Sequence, residues 1–337
     1  MDRQSFIASL PELKKSLHPE TEGWNEVLAK AQAANPWFIP AFMKEALEAI
    51  RTSFLDAILC DTWLASYPQG NSSGKNIGLV MAGNIPLVGF HDLFSVLASG
   101  HTAMVKLSDK DAYLLPYVTQ LWSSILPALA SRIRYVDKLE HMDAVIATGS
   151  NNSLRYFEYY FNKYPHLFRQ NRNGVAILHG NESPEALRLL ASDLFLYFGL
   201  GCRNVSKIYV PEGYDFSAWH EAIEPWAFVG NHNKYKNNLD YNFAIYLINN
   251  VPHIHLEHLI LKQDDAIASR IGCLHYAFYT DQEEVVLDLQ KRKEEIQCVV
   301  SGSPIEGWEH IRFGESQRPA LDQYADGVDT MTFLTQL

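Results

Sequence analysis

Sulfur is scarce in this chain: its 337 residues include four cysteines, far apart and without a Cys-x-x-Cys pair. That spacing is not metal-like and fits a reducing compartment better than a disulfide framework. Long apolar runs are missing as well. Nowhere do the roughly 18 consecutive apolar residues of a membrane-spanning helix occur, and the opening MDRQSFIASLPELKKS has neither the apolar stretch nor the small-residue cleavage site of a secretory leader. A cytoplasmic protein without a membrane span is expected. Basic residues are in deficit: 28 Lys and Arg stand against 39 Asp and Glu, a formal net charge of -11. Nucleic acid is thereby discounted as a partner, because gripping phosphate backbones needs clustered positive charge. Internal repeats, low-complexity tracts and the Gly-x-Gly-x-x-Gly fingerprint of ordinary dinucleotide folds are also lacking.

What is there is apolar and alternating. With 47% hydrophobic residues the chain can bury a large core, and at roughly 100 to 200 residues per domain it should form about two domains. Residues 1 to about 65 read as helical, with Phe42, Ala46, Ile50 and Leu55 near helical spacing and Pro36 and Pro40 interrupting upstream. From Asn76 the pattern becomes short apolar runs (NIGLVMAG, HTAMVKL, IRYV, DAVIATG) separated by helical stretches such as HDLFSVLAS and DAYLLPYVTQLWSSIL. Such alternation indicates βαβ units on a parallel sheet. Ser150 or Asn151 can cap the helix SNNSLRYFEYYFNKY, whose aromatic run should pack it on its sheet. A second cycle follows: GVAILHG, a helix with Pro184 in its first turn, then VSKIYVP, NFAIYLI, HLILK and GCLHYAFY as strands, and the charged helix DQEEVVLDLQKRKEEI. The expected domains are 1–172, a helical segment plus a parallel-sheet dinucleotide-binding domain; 173–310, an α/β catalytic domain; and 311–337, an apolar tail that could pair across an interface as a strand.

Cys60, Cys273 and Cys298 sit inside apolar runs (DAILC, IGCLHY, IQCVV), where cysteine behaves as a small buried hydrophobe. Cys202 follows Gly199-Leu200-Gly201 at the junction of an apolar helix and a strand, where glycine permits a tight turn that can project a side chain into a cleft. Its local sequence leaves two readings open, a reactive thiol or another buried one. Reactivity requires partial exposure and a positive neighbour, which Arg203 or Lys207 could supply. His253, His255 and His258 tempt a metal reading, but no carboxylate or cysteine spacing accompanies them, and no metal is expected.

The run NIGLVMAGNIPLVGFHDLFSVLASGHTAMVKLSD resembles the stretch of aldehyde dehydrogenases in which a strand ends at Asn-aromatic-Pro and the strand after the next helix closes with Lys-Pro-Ser. Further on, ATGSNN resembles the Thr-Gly-Ser turn that faces the dinucleotide, and GLGCRNVSK the loop that bears the nucleophile. Within that superfamily, ATGSNNSLRYFEYYF, GLGCRNVSKIYVP and the ending YADGVDTMTFL are similar to the fatty acyl-CoA reductases of bacterial bioluminescence, the LuxC type, and their relatives. The resemblance runs from about residue 75 to the C-terminus.

The resemblance implies an aldehyde dehydrogenase-like α/β fold with the active site in the crevice between two domains, and a nicotinamide cofactor, NADPH or NADH. Cys202 would attack an acyl thioester, on CoA or an acyl carrier, and Asn84 with the Cys202 backbone N–H would hold the oxyanion. Such donors are worth on the order of 3 kcal/mol each. Lys106 would reach the adenosine ribose or a 2'-phosphate, and Gly149 and Ser150 would sit beside the pyrophosphate at a helix N-terminus. Each has a plainer reading: a turn residue before Pro86, a solvated lysine at a strand end, an ordinary helix cap. Where oxidising relatives carry the water-activating glutamate of Glu-Leu-Gly-Gly, this chain reads GVAILHGNE, with His179 nearest and Glu182 displaced. His179 is a candidate acid for the leaving thiol or the hemithioacetal, or a satisfied histidine at a strand end. The ribose-binding Glu-x-Phe-Gly-Pro motif is not legible either; Asp265 or Ala266 falls at its glutamate.

The activity these residues imply is NAD(P)H-dependent reduction of an acyl thioester to an aldehyde through a cysteine acyl-enzyme. Rivals are reduction of an acyl phosphate, and acyl transfer or thioester hydrolysis without hydride transfer. The resemblance also implies a homo-oligomer and a partner acyltransferase or synthetase.

Overall fold

The computed structural model describes residues 2–68 and 74–337, and these divide into two compact units. The first comprises residues 1–171 with 318–337, the second 172–317.

The first unit opens with four helices, α1 (Arg3–Ser16), α2 (Trp24–Ala34), α3 (Pro40–Ser53) and α4 (Ala57–Ala65). Pro40 does not interrupt α3 but begins it, at the first-turn position where a missing N–H costs no bond. Phe42, Ala46 and Ile50 then recur on its buried face. A parallel sheet follows, built from β1 (Asn76–Val80), β2 (Thr102–Lys106), β3 (Ile133–Tyr135), β4 (Ala144–Thr148) and β5 (His166–Arg169) in the order β3-β2-β1-β4-β5. The helices α5 (Phe90–Ala98), α6 (Leu114–Ile125) and α7 (Asn151–Phe161) connect the strands. Because the sheet is covered on both faces, its central strands are almost entirely apolar. Its core is aromatic: the Phe6 ring lies 5.2 Å from both Phe94 and Trp122.

The second unit contains β6 (Asn173–Ile177), α8 (Pro184–Phe195), β7 (Val205–Pro211), α9 (Trp219–Ile223), α10 (Ala227–Gly230), α11 (Asn233–Ile248), β8 (Ile254–Leu256), β9 (Leu259–Gln263), β10 (Cys273–Tyr279), α12 (Gln282–Lys291) and β11 (Ile296–Ser301). Its sheet runs β11-β6-β7-β10-β9-β8, parallel except for the β8–β9 hairpin. The whole is the expected α/β architecture, two sheets built chiefly of parallel strands.

Three segments differ from their sequence reading. NFAIYLI is the end of α11, not a strand, because Tyr235, Leu239, Asn242 and Tyr246 are buried at helical spacing and overrule the local β-propensity. The C-terminal segment TMTFLT is a helix, α13 (Thr330–Thr335), not a strand awaiting a partner. Asp329 caps it by accepting the Thr332 N–H at 2.8 Å, and Met331 and Leu334 are buried in the first unit. Its backbone polar groups are therefore spent internally, and no strand edge is left. Among the described residues of α7 Phe157 is buried and Phe161 packs partly against the same core, while Tyr156, Tyr159 and Tyr160 are exposed, so part of the aromatic run rather than all of it packs that helix.

Candidate active site

In the first sheet the strand order reverses between β1 and β4, and ligands of open parallel sheets bind in the crevice beyond the carboxyl ends of the strands at such a point. Asn84 lies in the loop leaving β1, Gly149 and Ser150 leave β4, and Lys106 is the last residue of β2. Three adjacent parallel strands thus deliver all four residues to one edge. The Ser150 hydroxyl caps α7 by accepting the Ser153 N–H at 3.3 Å. Gly149 is required by close approach: a Cβ there would lie 2.8 Å from Ser153 Cβ and 3.0 Å from the Phe157 ring. The exposed Lys106 ammonium donates to the Asp137 carbonyl at 3.0 Å.

The loops after β1 and β2 are stitched together. Asn35 Nδ2 donates to the carbonyls of Gly83, at 3.4 Å, and Lys110, at 3.2 Å. A Cβ on Gly83 would meet Ser108 Oγ at 2.6 Å. Asp111, buried, accepts the Leu87 N–H at 2.8 Å, and burial pushes its carboxyl up to about 7. Asn35 and Asp111 escaped the sequence reading, since nothing in their own segments names partners so far along the chain. Asp109, exposed three residues beyond Lys106, adds a carboxylate at the same edge.

In the second unit α8 runs back to the amino-terminal edge of the sheet and gives way to three consecutive left-handed residues, Tyr197 (φ 53°), Phe198 (φ 57°) and Gly199 (φ 73°). Two of these are buried aromatics, for which positive φ is strained, so the surroundings must impose it. Asn204 is the residue that does most of the fastening. Wholly buried, it accepts the Gly201 N–H on Oδ1 at 2.8 Å and donates through Nδ2 to the Asp193 and Leu196 carbonyls, each at 2.9 Å. Its own N–H donates to the Gly201 carbonyl at 3.1 Å, closing a turn with Cys202 near its apex. Asp193 in turn receives the N–H groups of Gly314 at 2.6 Å and Ser316 at 3.0 Å, while burial raises its carboxyl to about 6.

Exposure separates the cysteines. Cys60, Cys273 and Cys298 are buried and burial raises all three thiols, Cys60 and Cys298 to about 12. Cys202 is half-buried. Cys298 faces the Cys202 turn from behind, donating from Sγ to the Arg203 carbonyl at 3.7 Å past Gly174, whose missing side chain leaves the path open.

The structure does not bring His179 to Cys202. β6 and β7 are parallel neighbours, Gly174 opposite Val205 and Ile177 opposite Tyr209. Cys202 precedes β7 at one edge and His179 follows β6 at the other. At ~3.3 Å per residue a five-residue strand separates them by roughly 16 Å, too far for proton transfer. A crossover helix returns the chain to the opposite edge, so His179, singled out because it falls nearest the position of the Glu-Leu-Gly-Gly glutamate, ends up away from Cys202. His179 bonds Ser303 Oγ through Nε2 at 3.0 Å, and its N–H, with that of Gly180, donates to the Glu182 carboxylate. Lys207 is also committed elsewhere: its buried ammonium donates to the Asp265 carbonyl at 2.7 Å, and burial lowers its pKa. His258 is buried with Nε2 3.0 Å from the Ile223 carbonyl, and His253 and His255 pack on Phe243. Among the described residues no group of three His, Cys, Asp or Glu is placed to hold a metal, and no helix is long and apolar enough to cross a membrane.

No family model matches the sequence, and no curated protein matches it. Solved structures do match. Aldehyde dehydrogenase 21 from Physcomitrella patens, in complex with the reaction product succinate, superposes with a TM-score of 0.67 over 100% of this chain and 84% of its own, at 11% identity. The indole-3-acetaldehyde dehydrogenase AldA of P. syringae, in complex with NAD+ and IAA, gives 0.65 over 91% of this chain and 73% of its own at 12% identity. The NAD-dependent aldehyde dehydrogenase of Sinorhizobium meliloti gives 0.65 over 96% and 72% at 10% identity. This chain has the aldehyde dehydrogenase-like fold.

Proposed function

We propose that the protein is an NAD(P)H-dependent reductase of acyl thioesters that works through a Cys202 acyl-enzyme, of the LuxC type. The observation that carries the reading is Cys202 itself: half-exposed on a turn that follows a strained left-handed segment and that buried hydrogen bonds hold in place, while the other three thiols are buried and raised. Strain kept by its surroundings is a mark of functional sites.

The Cys202 thiolate would attack the thioester carbonyl and form a carbon–sulfur bond, and the CoA or carrier thiolate would leave and take a proton. A preorganised N–H at the turn and the Asn84 side chain would stabilise the oxyanion. A reduced nicotinamide, when bound, supplies hydride to the acyl carbon; the Cys202–carbon bond then breaks to release aldehyde. The edge carrying Gly149, Ser150 and Lys106 suits a dinucleotide: Gly149 keeps a Cβ away from the start of α7, and the N–H groups there favour a pyrophosphate. Aldehyde dehydrogenases of this fold crystallised with NAD+ support that assignment. Lys106 fits NADPH, whereas Asp109 at the same strand end suits the ribose hydroxyls of NADH and would repel a 2'-phosphate.

Reduction rather than hydrolysis is favoured because β6 begins at the Cys202 edge with Asn173, after Arg172, and Glu294, at the same edge ahead of β11, is paired with Arg172 at 2.9 Å. The Glu294 carboxylate is thus engaged by an ion pair rather than held ready to activate water. The test is consumption of NADPH and NADH with acetyl-, hexanoyl- and palmitoyl-CoA, trapping aldehyde as a hydrazone, beside Cys202→Ala. Aldehyde formation abolished in the variant supports the reading. Free CoA without nucleotide oxidation would move it to acyl transfer or hydrolysis, and turnover of acyl phosphates alone to the semialdehyde-forming type.

A further inference from the structure

We propose that Asn204 is the positioning residue of the nucleophile, the side chain that sets the Cys202 turn in its reactive shape and without which the thiol is present but misdirected. The inference rests on Cys202 being the reacting group. Three observations converge on it. First, Asn204 is one of the least accessible polar side chains in the chain, 1% exposed, and both ends of its amide are used in one direction, toward the turn and the end of α8. Its Oδ1 holds the N–H of Gly201, the residue just before Cys202, and its Nδ2 takes two carbonyls of the segment that precedes the turn. Second, those bonds close around Tyr197, Phe198 and Gly199, whose left-handed backbone relaxes unless something holds it. Third, the turn is packed from behind, by Cys298 Sγ on the Arg203 carbonyl and by Gly174, whose N–H donates to the Asn204 carbonyl at 2.9 Å. The amide therefore fixes the turn from within a frame that is already rigid.

An amide is needed for this work. A carboxylate keeps the acceptor for the Gly201 N–H but presents oxygen to two carbonyls, and a hydroxyl cannot span both groups. Two partners face opposite ends of one planar group, so the side chain sets the distance between the end of α8 and the Cys202 turn. A displacement of about 1 Å at a reacting group costs on the order of 100-fold in rate.

The experiment compares Asn204→Ala and Asn204→Asp with the parent full-length protein in three measurements: turnover of hexanoyl-CoA with NADPH, dissociation constant for NADPH, and the rate at which iodoacetamide alkylates Cys202, read by peptide mass spectrometry. The expected result is a fall of about 100-fold in kcat and about tenfold in alkylation rate, with NADPH binding within twofold of the parent. A merely structural role would weaken nucleotide binding and thiol protection together. If Asn204→Ala does not fold, Asn204→Asp, which retains size and the Gly201 bond, carries the test. A folded variant with kcat and alkylation within threefold of the parent overturns the proposal. Cys202→Ala separates the two ideas: if it retains turnover, the acyl-enzyme reading fails, and Asn204 is then judged on the alkylation rate alone.

Discussion

The carboxylate of Asp111 accepts the backbone N–H of Leu87 at 2.8 Å, and Leu87 carries a left-handed φ of 58°. That bond joins the loop that bears Asn84 to the loop that follows Lys106. It also titrates. Burial raises the Asp111 carboxyl from its ordinary range to about 7, and Asp193 follows the same direction to about 6. A group whose folded pKa lies above its unfolded one binds more protons in the native state, so stability falls as pH rises, here between about 4 and 7. The Asp111 contribution is on the order of 4 kcal/mol at about 1.4 kcal/mol per unit. Urea unfolding of Asp111→Asn at pH 4.5, 6 and 8 should show stability shifting in the variant's favour by about 4 kcal/mol relative to the parent as pH rises, the variant itself keeping only the shallower slope that Asp193 imposes. Parallel curves for the two proteins would show that Asp111 does not titrate in this window.

Reactivity should follow exposure. With Cys60 and Cys298 held near 12, the thiolate fraction of either at pH 8 is about one in ten thousand, and both are sealed from solvent. Iodoacetamide at pH 8 should modify Cys202 at least tenfold faster than the other three in the folded protein, and all four alike in urea. Equal labelling of the native protein would remove the physical basis for choosing Cys202.

The short apolar runs that end at glycine or proline, such as NIGLVMAG, DAVIATG and VSKIYVP, are readable as parallel strands, and residues at the ends of those in the first sheet, Asn84, Lys106, Gly149 and Ser150, do share one edge. What a one-dimensional pattern cannot carry is which edge a residue occupies after a crossover. His179 is singled out by its place in a motif, yet α8 carries the chain from it to the opposite edge before Cys202. Nor can it name long-range partners: Asp111 reaches back 24 residues to Leu87, and Asn35 bonds loops 48 and 75 residues away. NFAIYLI is ambiguous for another reason, because its six consecutive apolar residues fit either period and only the helically spaced burial of Leu239, Asn242 and Tyr246 decides.

Gly149 tests the dinucleotide edge. A methyl group there would meet Ser153 and the Phe157 ring at 2.8 to 3.0 Å, tight enough to push the start of α7 outward at about 1–3 kcal/mol. Gly149→Ala should therefore weaken NADPH or NADH binding by about tenfold while the chain stays folded. Gly302→Ala, whose Cβ would meet Phe313 at an ordinary 3.7 Å, is the control and should bind like the parent. Unchanged affinity in Gly149→Ala would place the nucleotide elsewhere.

Arg169 tests what fastens the C-terminal segment to the first unit. Its guanidinium, 5% exposed, pairs with Asp92 at 2.6 Å and donates to the Ala325 carbonyl at 2.7 Å and to Thr330 Oγ1 at 2.8 Å, so one side chain joins α5, β5 and the approach to α13. Removing one partner of a buried ion pair leaves the other charge uncompensated, at about 3–5 kcal/mol. Because Ala325 and Thr330 would lose their donor at the same time, the loss should be local: Arg169→Ala should release the segment from residue 318 onward to protease before the rest of the chain unfolds. Asp92→Asn, which leaves both of those contacts to the guanidinium, should lower overall stability without selective cleavage. If both variants melt as one cooperative unit with no early C-terminal cut, the segment is held by Met331 and Leu334 in the core rather than by this arginine.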